Sequence, residues 1–241
     1  MNYELDGDGD RAVVLAGSLG STLEMWQQQL PALMRDFQVL RYDHPGHGGS
    51  PPPEEPTVSA FARDVVALLD GLGLRRVAFC GLSLGGAVGM RLALDVPERL
   101  DGLVLCSTSR RFATPEFWQE RAETVRREGV EAIADVVLER WFTPGFADVR
   151  RYREMLLATQ VEGYARGCEA VRDWDARGTL GGITTPTLVI GGADDPSTPP
   201  ADLQAIVAEI PGARLHLIDR ARHFVNVERP EEFNEAVLSH L

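Results

Sequence analysis

Arg76-Val-Ala-Phe-Cys-Gly-Leu-Ser-Leu-Gly-Gly86 joins a strand-length apolar run, residues 77–80, to a helical pattern at residues 84–94. The joint between them is Gly81-Leu82-Ser83-Leu84-Gly85, a G-x-S-x-G motif with a strand before it and a helix after it. In that setting the serine is placed as a nucleophile. Glycines on both sides permit a sharp turn with no β-carbon in the way. The turn lifts the Ser83 hydroxyl off the sheet edge, and the helix start aims free N–H groups at any developing negative charge.

Working outward, apolar runs rich in valine and leucine recur at residues 12–16, 37–42, 103–106, 187–190 and 214–218. They alternate with amphipathic segments at 59–72, 203–210 and 231–238. Near-continuous apolar strands separated by helices predict an α/β fold whose central sheet is mostly parallel and covered on both faces. The alternation breaks between residues 109 and 182. That stretch holds no strand pattern and reads as four helices, at 115–128, 130–141, 147–159 and 162–173. The expected division is therefore a core built from residues 1–108 and 183–241, with a helical cap, residues 109–182, inserted over the C-terminal sheet edge. The proline-rich segment 51–56 reads as a surface loop rather than a polyproline ligand.

Composition narrows the function. The chain has 241 residues, 44% of them hydrophobic, enough for one large core. Its net charge of −12 excludes nucleic acid and anionic membranes as partners in the absence of a basic patch. No apolar run is long enough to span a membrane and no signal-peptide pattern stands at the start, so a cytoplasmic location is expected. All 24 basic residues are arginine, which rules out Schiff-base chemistry and a P-loop lysine. Cys80, Cys106 and Cys168 read as small core residues. No cofactor and no metal site is expected.

A serine hydroxyl needs a base. Five histidines are available. His240, near the end of the chain, is expected to fray. His216 alternates with leucines inside a strand and reads as a sheet-face residue. His44 and His47 lie in Asp43-His-Pro-Gly-His-Gly-Gly49; their H-x-x-H spacing has no acidic or cysteine ligand to complete a zinc site, and a turn is the better reading. His223, in the loop after the last strand, is left as the base. The loop after the preceding strand, Gly191-Gly-Ala-Asp194-Asp195-Pro-Ser-Thr-Pro199, offers two aspartates to orient it. The order Ser…Asp…His is that of the α/β-hydrolases. A second oxyanion donor should come from the loop after residues 12–16, so the backbone N–H groups of Ser18 and Leu84 are the expected pair.

The chain as a whole resembles the 3-oxoadipate enol-lactonases among the α/β-hydrolases. The resemblance rests on Ser18-Leu-Gly-Ser-Thr-Leu-Glu-Met-Trp26, Leu40-Arg-Tyr-Asp-His-Pro-Gly-His-Gly48, Phe79-Cys-Gly-Leu-Ser-Leu-Gly-Gly86 and Leu103-Val-Leu-Cys-Ser-Thr108. Arg140-Trp-Phe-Thr-Pro144, Glu162-Gly-Tyr-Ala165 and Asp195-Pro-Ser-Thr-Pro-Pro200 complete it. It implies a Ser83–Asp195–His223 triad that opens 3-oxoadipate enol-lactone, with Asp194 the alternative acid. Segment 2–7 resembles the relatives' second strand, so their first strand is expected to be missing. Leu84 replaces a methionine found in many relatives. The substrate of that family is a small anionic lactone, and its carboxylate needs a local cation. Arg140 is the expected partner, with Trp141 covering the ring and Arg110 or Arg111 as fallbacks. A general carboxylesterase or perhydrolase of the same fold is the alternative activity, and a small-molecule receptor a more distant one. Ser83 itself excludes haloalkane dehalogenation, which requires a carboxylate at that turn.

Overall fold

Valine, leucine and isoleucine crowd into short runs, and each run becomes a strand buried from both faces. The computed structural model describes residues 1–241. Its strands are β1 (Tyr3–Asp6), β2 (Arg11–Ala16), β3 (Phe37–Tyr42), β4 (Val77–Leu82), β5 (Leu100–Cys106), β6 (Thr187–Gly192) and β7 (Arg214–Ile218). They form one sheet in the order β1-β3-β2-β4-β5-β6-β7. Every pairing is parallel except that of β1 with β3. All six expected runs are strands. Several extend further through glycines, because neighbouring strands pair them: Gly81 lies opposite Leu105 and Gly192 opposite Ile218. At the antiparallel edge, Arg41 is buried but carries its charge between Glu4 and Asp6, with Asp6 at 2.9 Å. A buried guanidinium is tolerable only when paired in this way.

The helices are α1 (Leu30–Leu33), α2 (Val58–Gly71), α3 (Leu84–Asp95), α4 (Pro115–Glu128), α5 (Glu131–Trp141), α6 (Val149–Leu157), α7 (Val161–Arg172), α8 (Pro200–Glu209), α9 (Val225–Glu228) and α10 (Pro230–Leu238). Helix α2 buries Phe61, Val65 and Leu69, spaced at four residues on one face, and its Thr57 caps the N-terminus by accepting from Ala60 N. Pro115 opens α4 beneath a Thr114 cap. Helices α4 to α7 intervene between β5 and β6 with no strand among them, as the broken alternation predicts. One continuous apolar core joins sheet and helices. Each large aliphatic side chain it buries contributes about 2 kcal/mol before conformational entropy is counted. No helix is long and apolar enough to cross a membrane.

The strand order places the site. The chain leaves β2 toward β3 on one side and returns to β4 on the other, so the order reverses between β2 and β4. Loops diverge at such a point and leave a crevice beyond the strand ends. Gly17–Gly20 follows β2 and Ser83 follows β4, so both open onto that crevice.

Candidate active site

Ser83 occupies the turn between β4 and α3 with φ 58° and ψ −112°. A β-carbon in that region is strained by about 1–3 kcal/mol, a strain maintained only where the surroundings enforce it. Ser83 N donates to Cys106 O at 2.9 Å, and Thr108 Oγ1 donates to Ser83 O at 2.8 Å. The flanking glycines are obligatory. A β-carbon on Gly81 would lie 2.2 Å from Gly85 O, and one on Gly85 would lie 2.3 Å from Ala16 O.

His223 lies in the loop after β7. Its Nδ1 is 2.8 Å from Asp195 Oδ2. An ionised carboxylate only accepts, so Nδ1 carries the proton and Nε2 presents its lone pair. Asp195 is buried and also accepts from Ser197 N at 2.7 Å, Thr198 N at 3.3 Å and Thr198 Oγ1 at 2.7 Å. Burial opposes its charge, but His223 and these hydrogen bonds outweigh it and hold the carboxyl below its usual range. Asp194 is exposed, and the imidazole's carboxylate partner is Asp195. Ser83 and His223 line one cavity of about 260 Å³.

The expected oxyanion pair needs one correction. Ser18 N already donates to Ser21 Oγ at 2.9 Å. The next N–H in the same turn, that of Leu19, has no partner within the chain, and neither has that of Leu84. Gly85 N donates to Gly17 O at 3.0 Å and fastens the two turns together. Ser18 and Leu19 both line the cavity, and Leu84 opens helix α3 directly after Ser83.

His44 and His47 form a turn, as expected, and they also brace the oxyanion loop, which sequence reasoning missed. His44 Nε2 lies 2.9 Å from Gly17 O, and His47 Nε2 accepts from Gly20 N at 2.9 Å. Burial pushes their pKa values down, to about 3 for His44 and about 4 for His47. Both rings stay neutral at pH 7, which leaves His47 Nε2 the lone pair that Gly20 N requires. His240 is a second correction. It does not fray, because its Nε2 sits 3.2 Å from Leu103 O and Pro186 O. His216 lies on β7 as expected, half exposed beside Glu232. A further residue had no sequence signal. Glu228 is buried and accepts from Thr143 N at 2.8 Å and Arg222 N at 2.7 Å, tying the end of α5 to the loop that carries His223.

The cavity's other wall comes from the helical insertion. Trp141 is buried and stacks on Phe224, with ring centroids 4.1 Å apart, while its edge reaches the cavity. Arg140 also lines it, with Nη1 3.5 Å from Pro196 O. The fallback arginines do not reach the cavity: Arg110 pairs with Glu209, and Arg111 lies 3.9 Å from Asp175. Arg121, which the sequence did not single out, does line it. No aspartate or glutamate does. In so acidic a chain, the cavity is a locally cationic space.

A strained serine between glycines, a histidine held by a buried aspartate, and a mostly parallel sheet with this order are together distinctive. The family model described as alpha/beta hydrolase fold matches residues 11–230. The chain belongs to the α/β-hydrolase family. Within the family, it is 40% identical to 3-oxoadipate enol-lactonase 2 of Acinetobacter baylyi, over 98% of this chain and 91% of that protein. Among solved α/β-hydrolase structures, the enol-lactonase from Burkholderia xenovorans superposes with a TM-score of 0.96 at 40% identity, covering 99% of this chain and 95% of that one. A hydrolase from Pseudomonas aeruginosa superposes with a TM-score of 0.95 at 45% identity, covering 99% and 92%.

Proposed function

We propose that this protein hydrolyses 3-oxoadipate enol-lactone to 3-oxoadipate with Ser83, His223 and Asp195 as its catalytic triad. The observation that carries this reading is the cavity itself. It sets a histidine-bearing nucleophilic centre beside two arginines and no carboxylate, a combination suited to an ester that is also an anion. The likeness to enol-lactonases along nearly the whole chain supports the same substrate.

In this mechanism Ser83 Oγ attacks the lactone carbonyl as His223 Nε2 takes its proton, and Asp195 stabilises the imidazolium. The N–H groups of Leu19 and Leu84 receive the oxyanion; losing one such donor typically costs about 3 kcal/mol in the transition state. The carbonyl re-forms and the enol oxygen departs, taking the proton from His223 and then tautomerising to the ketone. Water, deprotonated by His223, attacks the acyl-serine and releases the second carboxylate. Residues 109–182 act as a cap that closes this chemistry from above, over a core of residues 1–108 and 183–241. Trp141 and the cavity arginines, Arg140 among them, form the binding wall for a small anionic lactone. The setting of the reaction is the cytoplasm.

Steady-state kinetics on the enol-lactone and on a neutral ester of similar size test this. The expected result is a strong preference in kcat/KM for the lactone, and a loss on the order of 10⁴-fold or more in kcat for Ser83→Ala. Equal turnover of both substrates would reduce the protein to a general carboxylesterase. Undiminished turnover by Ser83→Ala would refute the triad.

A further inference from the structure

Twelve arginines fall within residues 109–182. Ten of them are paired with carboxylates. The two without such a partner, Arg121 and Arg140, are the two that line the cavity. In an insertion that neutralises its other arginines, leaving these two unpaired beside the nucleophile marks them as receptors for an external anion.

Their surroundings differ. Arg140 Nη1 donates to the Pro196 carbonyl at 3.5 Å. Arg121 makes no ion pair in the chain, and the hydroxyl of Tyr164 is its polar neighbour. Its guanidinium lies over the rings of Phe117, at 4.7 Å, and Trp118, at 5.4 Å. Those two rings meet edge to face with centroids 5.2 Å apart, which fixes the platform. An aromatic platform engages the face of a guanidinium and leaves its in-plane N–H fork unused. It also removes water from the cation, which strengthens any anion contact made at the fork. Tyr164 is buried on the same side; burial raises its pKa and Arg121 acts against that rise, so the two groups are neighbours.

We infer that Arg121 is the specificity-determining residue of this site and anchors the substrate's free carboxylate through its N–H fork, while Arg140 contributes less. The assignment rests on the enol-lactonase reading for the identity of the substrate, but not for the presence of the anion subsite.

The test compares wild type, Arg121→Gln, Arg121→Lys and Arg140→Gln on three substrates. These are the enol-lactone, a 4-nitrophenyl half-ester of glutaric acid, and neutral 4-nitrophenyl butyrate. For Arg121→Gln, kcat/KM should fall about 10- to 100-fold on both anionic substrates, mainly through KM, and less than about threefold on the neutral ester. Lysine at 121 should recover part of that selectivity, since it restores charge without the fork. Arg140→Gln should lower the anionic-to-neutral ratio too, but by a smaller factor than Arg121→Gln. Melting temperatures close to wild type certify the fold of each variant.

Equal losses on charged and neutral substrates in Arg121→Gln would overturn the assignment, as would selectivity lost in Arg140→Gln but kept in Arg121→Gln. The enol-lactonase reading survives both results. Conversely, if wild type ignores the lactone yet prefers the anionic ester through Arg121, that reading fails and the assignment stands. A wild type with no preference for charge would overturn both.

Discussion

The two walls of the cavity are built on different principles. The sheet wall is positioned by backbone: Ser83 is held at positive φ, Gly85 N is bonded to Gly17 O, and Asp195 is fixed by three N–H and O–H donors besides His223. The helical wall is made of side chains, namely aromatic rings and two guanidinia with few hydrogen bonds. On the sheet side, a side-chain substitution meets rigid main chain. On the helical side, it meets other side chains that can repack. If the sheet wall sets the reaction and the helical wall the substrate, as proposed, changes in the two walls should leave different kinetic signatures.

The largest expected effect on the sheet side is that of Asp195→Asn. An amide cannot hold the imidazole with its proton on Nδ1, and kcat should fall on the order of 10⁴-fold. The loss should be equal for charged and neutral esters, unlike that of a substitution at Arg121. A substrate-dependent loss would break the division between the walls. Gly85→Ala comes next. Its β-carbon would press on Ala16 O and force β2 and α3 apart, destabilising the protein by about 3 kcal/mol in chemical denaturation. A variant as stable as wild type would show the sheet wall to be softer than its contacts imply.

The smallest effect concerns acid. His44 and His47 have folded-state pKa values of about 3 and about 4, against 6.5 for the free side chain. Below pH 6.5 the unfolded chain takes up protons that the folded chain refuses. Stability is thus fully present above pH 6.5 and declines as pH falls to about 4 for His47 and about 3 for His44. At pH 5 each histidine accounts for a loss of about 1–2 kcal/mol. His47→Gln keeps an acceptor for Gly20 N without a titrating ring, so its melting temperature should fall less between pH 7 and pH 5. Parallel curves for variant and wild type would remove His47 from the acid response.

The same division explains what could be read from sequence. Strand periodicity, the glycines about Ser83 and the chain order of the triad are local or sequential signals, and each expected strand lies where its apolar run predicts. Sequence points to the turn after β2 and to Ser18 within it, but does not tell one N–H of that turn from the next. Only the hydroxyl of Ser21, folding back on Ser18 N, decides which N–H remains free. Arg121 sits on an amphipathic helix among many arginines, and nothing in its neighbours along the chain separates it from the ion-paired ones. The distinction is tertiary: which arginines find a carboxylate in space. Glu228 was invisible for the same reason, since its partners Thr143 and Arg222 meet it only after the insertion and the last loop have docked.

The bond from Gly85 N to Gly17 O also has a temporal meaning. It joins the ends of parallel strands β2 and β4, which cannot close as a hairpin and must wait for the crossover through β3 and α2. In the proposed triad, Ser83 and the oxyanion donors lie in the first part of the chain, but the base, His223, comes from the loop after the last strand. During synthesis the nucleophile therefore emerges long before its base, and a half-made chain holds an inert hydroxyl. Reactivity arrives with the final strand and certifies that the sheet is complete.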